Sequence, residues 1–326
     1  MMKAIYIDAL GGPEVMQIID APVPEATGKY VRVKVEAVGL NYSDIMIREG
    51  RYLQRTQLPQ ILGREFAGTI DALGDGVRGF QIGQRVYGTA GAGALAEYVT
   101  CHAAGLIALP DELSSDMAVA LVVQGVTALH CLEDHGHLKP GETVLIHAAA
   151  GGVGTLAIQM ARHMGAGKII GTASSDTKCN TILELGAEAV NYSSPNWVEE
   201  VLRLTDGHGA DLILESVGGD VFWRSYRDLL AFAGRIVVVG IAGSEVNEIR
   251  TSEILRRNKT IIGYFLAEYF EKAPQAVGPA IKRVLEMVNS GAVKPIIGAT
   301  FPLEKSVDAF NHMQNRQNIG KVVIKP

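Results

Sequence analysis

The stretch IHAAAGGVGTLAIQMAR, Ile146 to Arg162, decides the fold. It follows TVLI, a short apolar run typical of a buried strand, and it opens TLAIQMARHMGA, whose apolar residues recur at helical spacing. A glycine-rich turn between strand and helix is the context that a dinucleotide fingerprint requires. Gly151 and Gly154 match the last two glycines of G-x-G-x-x-G, and Ala149 stands where the first would be. Gly151 lets backbone approach a pyrophosphate, and Gly154 allows close packing of helix on sheet. The helix N-terminus then offers unpaired N–H groups and a positive dipole end. Ala149 costs little there provided its φ stays negative.

Outward from this turn, apolar strands alternate with helices. TVLIHA, KIIGTA, EAVNY, DLILES, RIVVVG and TIIGYF read as strands; Thr155–Met164, Asp176–Leu185 and Trp197–Leu204 read as helices between them. This pattern predicts a parallel sheet covered on both faces and doubly wound, an α/β fold. Residues 1–122 read differently. In YVRVKVEAVGL, Val31, Val33 and Val35 alternate with Arg32, Lys34 and Glu36, the period of a half-buried strand, and glycine-rich turns separate the β-like pieces that follow. After Phe265 come a long helix predicted at Pro279–Asn289 and the strands KPIIGATF and KVVIK. This tail does not extend the alternation. The reading is a β-rich domain over 1–122 and 265–326, with a dinucleotide-binding domain inserted at 123–264.

The cofactor type is read at the second strand. An NAD site places Asp or Glu at its end, some 20 residues after the turn, to bind ribose hydroxyls. Here that strand ends GTASSDTK, with Ala173 and Ser174 at the place of the acid, and Asp176 assigned to capping the next helix. No carboxylate repels a 2'-phosphate, and Ser174 and Lys178 can hold one. The expected cofactor is NADPH.

Bulk properties exclude several classes. A chain of 326 residues is long for one core, and a formal net charge of -5 lacks the basic footprint of a nucleic-acid or anionic-membrane surface. Cys101, Cys131 and Cys179 are odd in number and widely spaced, which suits reduced thiols in the cytoplasm. The N-terminus does not read as a signal peptide. The longest apolar run, Met117–Leu129, is too short for a bilayer and reads as a buried helix.

Together, GLNYSDIMIREGRY, LGREFAGTI, GVRGFQIGQRVYG, AEYV, HAAAGGVG, GTASSDTK and NRQNIGKVVI resemble the medium-chain dehydrogenase/reductase superfamily, in its zinc-free, zeta-crystallin-like quinone oxidoreductase branch. The resemblance covers essentially the whole chain, and this branch uses an A-x-x-G-x-x-G turn, here Ala148, Gly151 and Gly154. It implies a GroES-like catalytic domain built from both chain ends around a Rossmann domain. Zinc-dependent members carry Cys in G-x-C-x-x-D and His in G-H-E, where this chain has Asn41 and Arg64. Their third ligand falls near Gln124, so no metal is expected. HCLEDHGH, His130 to His137, is metal-like in composition but lies at a helix end, where such residues are common.

The same resemblance implies roles for particular residues. Asn41, Tyr42 and Tyr52 line an interdomain cleft, with Asn41 hydrogen-bonding cofactor or substrate carbonyl and Tyr52 or a water supplying a proton. Asp44 has the simpler alternative of pairing with Arg64. Gln124 and Thr127 face the nicotinamide. Gly151, Gly152 and Val153 meet the pyrophosphate. Ser174, Lys178 and Tyr192, with Arg316 in the tail, surround the 2'-phosphate, and Asn318 is a further cofactor candidate. Gly240, Ile241, Phe265 and Leu266 border the nicotinamide half. A homodimer is expected through the edge strand TIIGYFL. The implied activity is metal-free hydride transfer from NADPH to a quinone. The alternatives are reduction of α,β-unsaturated carbonyls (enone, enal or enoyl thioester) and a catalytically idle NADPH-binding protein.

Overall fold

A computed structural model describes residues 1–243 and 247–326, and the chain divides into two compact units. Unit one comprises Met1–Val122 and Ile297–Pro326; unit two comprises Val123–Ile296.

Unit one is β-rich. Its larger sheet runs in the order Ile297–Pro302, Lys321–Lys325, Tyr30–Leu40, Glu65–Leu73, Arg85–Thr89, Leu106–Ala108, with Tyr98–His102 also pairing with Tyr30–Leu40. Along Tyr30–Leu40 the valines at 31, 33 and 35 are buried and Arg32, Lys34 and Glu36 are not, as the period-two pattern predicts. The C-terminal strand returns antiparallel to this one, with Val322 opposite Leu40 and Val323 opposite Gly39. Residues some 280 positions apart thereby become neighbours.

Unit two holds six parallel strands: β1 (Thr143–Ile146), β2 (Lys168–Ala173), β3 (Glu188–Asn191), β4 (Ala210–Glu215), β5 (Leu230–Val238) and β6 (Thr260–Gly263). Their spatial order is 3-2-1-4-5-6. The strand order reverses between β1 and β4, and a crevice outside the carboxyl ends of the strands at such a switch point is where doubly wound sheets bind ligands. Helix Gly152–His163 follows β1, with Leu156, Ile158 and Met160 buried.

Two expectations are corrected. The helices Leu266–Lys272 and Pro274–Asn289 belong to unit two, so the return to unit one begins at Ile297 and not at 265. The contacts are specific: Val284 packs where Gly125 has no side chain, Arg283 pairs with Glu133, and Gln159 exchanges hydrogen bonds with the Lys294 backbone. The long helix starts at Pro274, five residues before the proline chosen from the sequence, so Pro279 lies inside it. Both prolines suit an N-terminal turn, and the earlier one takes that place. The apolar run Met117–Leu129 is the buried helix expected of it: Ser115–His135 is long and apolar enough to pass for a membrane span, and 83% of its most apolar window is buried within the protein.

Candidate active site

The glycine turn leaves β1 between its neighbours. The Ala149 N–H donates to Thr172 O (2.9 Å) on β2, and the Gly151 N–H closes the turn on Ala148 O (2.9 Å). The backbone strain falls on Ala148, at φ 48°, while Ala149 stays out of the left-handed region. Gly151 is the N-cap of helix Gly152–His163, and the N–H groups of the first turn have no intrahelical acceptor. A Cβ at Gly154 would come within 2.5 Å of Ala149 Cα and 2.6 Å of its carbonyl oxygen. A Cβ at Gly152 would run into the amide of Gln124. Gln124 is buried over this turn, and its Oε1 lacks a hydrogen-bond partner. The turn therefore offers donors to an anion and one buried acceptor beside them.

The other strand ends gather the remaining unit-two candidates. Ser174 and Lys178 follow β2, both half-buried, and Tyr192 follows β3, where its N–H donates to Ala173 O (3.0 Å). The cap of helix Asp176–Glu184 is Ser175, whose Oγ accepts from the Lys178 N–H (3.4 Å). Asp176 does not cap; its carboxylate accepts from Asn191 Nδ2 (2.9 Å) at the end of β3. Asp176, the first acid after β2, is thus held by Asn191 of the neighbouring strand. Gly240 and Ile241 follow β5, where the Ala242 and Gly243 N–H groups donate to Ser216 O (3.0 Å) and Val217 O (2.7 Å). Phe265 caps the helix that buries Leu266 after β6.

Two buried titratable groups support these ends. His147 bridges Thr172 Oγ1 (2.8 Å) and Ser225 Oγ (2.7 Å), and burial pushes its pKa down to about 3, so it is a neutral strut. Glu215 ends β4 and accepts the Val217 and Gly218 N–H groups (2.8 and 2.9 Å). Burial raises its pKa against those donors.

Unit one builds a different cluster around Asn41. Its Nδ2 donates to Gly39 O (3.0 Å) and Glu65 Oε2 (3.0 Å), and its Oδ1 accepts from Lys321 Nζ (2.9 Å). Lys321 also pairs with Glu65 at 2.7 Å, both side chains fully buried. The two amide hydrogens are spent inside the protein, so Asn41 cannot donate to a substrate carbonyl. Its side chain also meets the Asp44 backbone N–H in a capping box, so the amide is held from both sides. This corrects the donor role expected for it. Asp44 accepts the Asn41 backbone N–H (2.8 Å) and is wholly buried. Burial raises its pKa to about 6, with that hydrogen bond and Arg64 opposing. Arg64 lies over the Tyr52 ring, 5.3 Å from its centroid, and hydrogen-bonds the phenol. Burial raises the Tyr52 pKa. Tyr42 begins helix Tyr42–Arg48 and packs on the unit-one core. In the tail, Arg316 is exposed at φ 55° and Asn318 half-buried.

These residues do not fit a zinc ion. The position between strands holds an ammonium already neutralising Glu65, and the neighbours are an amide and a guanidinium, none of them a thiolate or imidazole. The His130–His137 stretch is also not assembled as a ligand set: among the described residues no three His, Cys, Asp or Glu side chains converge on a metal position.

Sequence reasoning passed over Lys321 and Glu65 as site residues. Both lie in quoted motifs, GRE and GKVVI, but only the strand register shows that they meet.

Comparison with known proteins agrees with this architecture. Residues 27–111 match the alcohol dehydrogenase GroES-like domain, and residues 152–283 match the zinc-binding dehydrogenase family. The quinone oxidoreductase-like protein 2 of Bos taurus is 36% identical over 295 residues, 90% of this chain and 84% of the relative. The structure of Escherichia coli quinone oxidoreductase complexed with NADPH superimposes with a TM-score of 0.93 at 29% identity, over 99% of this chain and all of that one. That of CurK enoyl reductase does so at 0.88 and 28%, over 99% of each chain. From both halves of its fold, and from Asn41 and Arg64 at the two motif positions, the chain belongs to the medium-chain dehydrogenase/reductase superfamily, in its zinc-free quinone oxidoreductase branch.

Proposed function

We propose that the protein is an NADPH-dependent quinone oxidoreductase that works without a metal. The observation that carries this reading is the pairing of an anion-binding turn at Gly151–Val153 with a second strand whose end bears Ser174 and Lys178 and no free carboxylate. The relatives described above support it. NADPH supplies a hydride, and a quinone accepts it into a conjugated ring without Lewis-acid help. The chain's own work is to hold and orient. The first-turn N–H groups after Gly151 bind the pyrophosphate. Ser174, Lys178 and Tyr192 hold the 2'-phosphate. Gly240, Ile241, Phe265 and Leu266 border the nicotinamide half, with Thr127 and Gln124 facing it. Asn41, Tyr42 and Tyr52 are the pocket candidates of unit one.

The decisive assay is steady-state NADPH oxidation with 1,4-benzoquinone and an α,β-unsaturated ketone side by side. Turnover of the ketone alone would replace the quinone reading by that of an enone reductase, which the likeness to an enoyl reductase favours as second choice. Binding of NADPH without turnover of either would leave an idle binding protein. For the 2'-phosphate, Lys178→Ala should weaken NADPH binding by about tenfold or more while NADH binding changes little, since one charge-assisted contact is lost. Equal loss for both cofactors, read by nucleotide fluorescence, would remove Lys178 from the phosphate site.

Cytoplasmic location and homodimer formation belong to the same reading. β6 stands at the sheet edge with Ile261 and Ile262 half-buried, and pairing with a second copy would cover it. A monomeric mass by sedimentation would dismiss the dimer.

A further inference from the structure

Helix Val123–His130 carries Thr127 and His130 three residues apart, on one face. Tyr264, the residue immediately after β6, puts its hydroxyl between them. It is hydrogen-bonded to Thr127 and lies 3.0 Å from His130 Nδ1. The opposite ring nitrogen of His130 lies 3.7 Å from Asp134 Oδ2. Thr127, Tyr264 and His130 are buried, whereas the Asp134 side chain is 53% exposed. The result is a line of hydroxyl, phenol and imidazole through an apolar interior, with water at one end. A buried tyrosine hydroxyl needs one partner to be satisfied; this one has two, and so can accept from one and donate to the other.

We propose that Thr127, Tyr264, His130 and Asp134 form a proton-transfer chain from solvent to the acceptor being reduced. The proposal rests on the reading that Thr127 faces the nicotinamide half. Hydride delivery to a quinone leaves a hydroquinone oxyanion. The Thr127 hydroxyl gives that oxygen its proton, the Tyr264 hydroxyl restores Thr127, and His130 Nδ1–H restores Tyr264. Water beside Asp134 first protonates His130 at Nε2, the resulting imidazolium gives up its Nδ1 proton, and proton exchange with solvent returns the ring to its Nδ1–H tautomer. One hydride and one proton convert quinone to hydroquinone as NADPH becomes NADP+, with the proton drawn from the medium. Tyr264 and His130 act through Thr127, so they are positioning residues in this chain.

The environment of His130 suits a shuttle. On its own helix and the π-helical continuation Cys131–His135 it faces Asp134, Glu133 and His135; from the segment after β6 it faces Tyr264 and Tyr269, whose ring lies 4.7 Å away. Glu133 is held by Arg283, and Tyr269 hydrogen-bonds His135 Nε2 (2.7 Å), which leaves Asp134 as the charge partner of His130. Burial holds the His130 pKa below the usual histidine value, with Asp134 opposing. The rate of a proton-limited step should therefore fall as pH rises through that lowered pKa.

Tyr264→Phe keeps the ring and removes the link. It should lower kcat with quinone by about tenfold or more, abolish the solvent deuterium isotope effect and the alkaline decline, and leave the NADPH dissociation constant and melting temperature near wild type. His130→Ala should regain rate when imidazole is added, which a merely structural role would not permit. Without any substrate, a nitrogen-edited NMR spectrum should show a hydrogen-bonded His130 Nδ1 in wild type that is lost in Tyr264→Phe. An unchanged kcat and pH profile in Tyr264→Phe, or no imidazole rescue of His130→Ala, would overturn the relay while leaving the quinone reading intact. A wild type that turns over no quinone would remove that reading and the relay with it.

Discussion

Gly151→Ala and Gly154→Ala, three residues apart in one turn, should both lose NADPH affinity, but only the second should lose stability. At Gly154 an added Cβ meets backbone, 2.5 Å from Ala149 Cα and 2.7 Å from Ala148 O, so nothing flexible is there to give way. The helix must shift off the sheet, at a cost of roughly 1–3 kcal/mol typical of overpacking. Apo-protein melting should fall by several degrees, and NADPH affinity should drop with it as the turn widens. At Gly151 the backbone lies at φ -80°, a conformation alanine adopts readily, and the nearest atom to an added Cβ is Ala148 O at 3.1 Å. That variant should melt near wild type, yet lose on the order of a hundredfold in NADPH affinity, because the methyl stands where a pyrophosphate must approach. Thermal scans without nucleotide and fluorescence titrations with it would check both. A Gly151→Ala protein that binds NADPH normally would show that the turn does not cradle phosphates.

This turn shows why so much of unit two is legible in the sequence. Its chemistry is local: strand, turn, helix dipole and the residues after each strand are written within a few positions of one another. The alternation at Val31, Val33 and Val35 is local in the same sense, and the burial follows it. What stays hidden depends on register between distant strands or on packing between helices. Helix Pro274–Asn289 has an amphipathic pattern that suits either unit, and only Val284 against Gly125 and Arg283 against Glu133 place it in unit two. Ser175 rather than Asp176 caps its helix because Asn191, on the next strand, draws the aspartate away. Asn41 is legible as a candidate, but nothing local shows that the Gly39 carbonyl and Glu65 take both of its amide hydrogens.

Lys321→Met should accordingly be among the most damaging single substitutions in unit one. The ammonium is fully buried against Glu65 at 2.7 Å and fixes the Asn41 amide at 2.9 Å. Removing one partner of a buried pair leaves the other uncompensated, at a cost of about 3–5 kcal/mol. The double variant Lys321→Met/Glu65→Gln removes both charges and should recover most of the loss, since a neutral pair of similar volume often costs little. Denaturant melts of the three proteins decide the matter. A single variant as stable as wild type, or a double variant no better than the single, would mean that the buried ammonium is not what holds Glu65. The pair is also closely packed: a Cβ at Gly39 would lie 2.6 Å from Lys321 Cε, 2.9 Å from Glu65 Oε2 and 2.6 Å from the Val119 carbonyl oxygen, so Gly39→Ala should displace backbone as well as the pair.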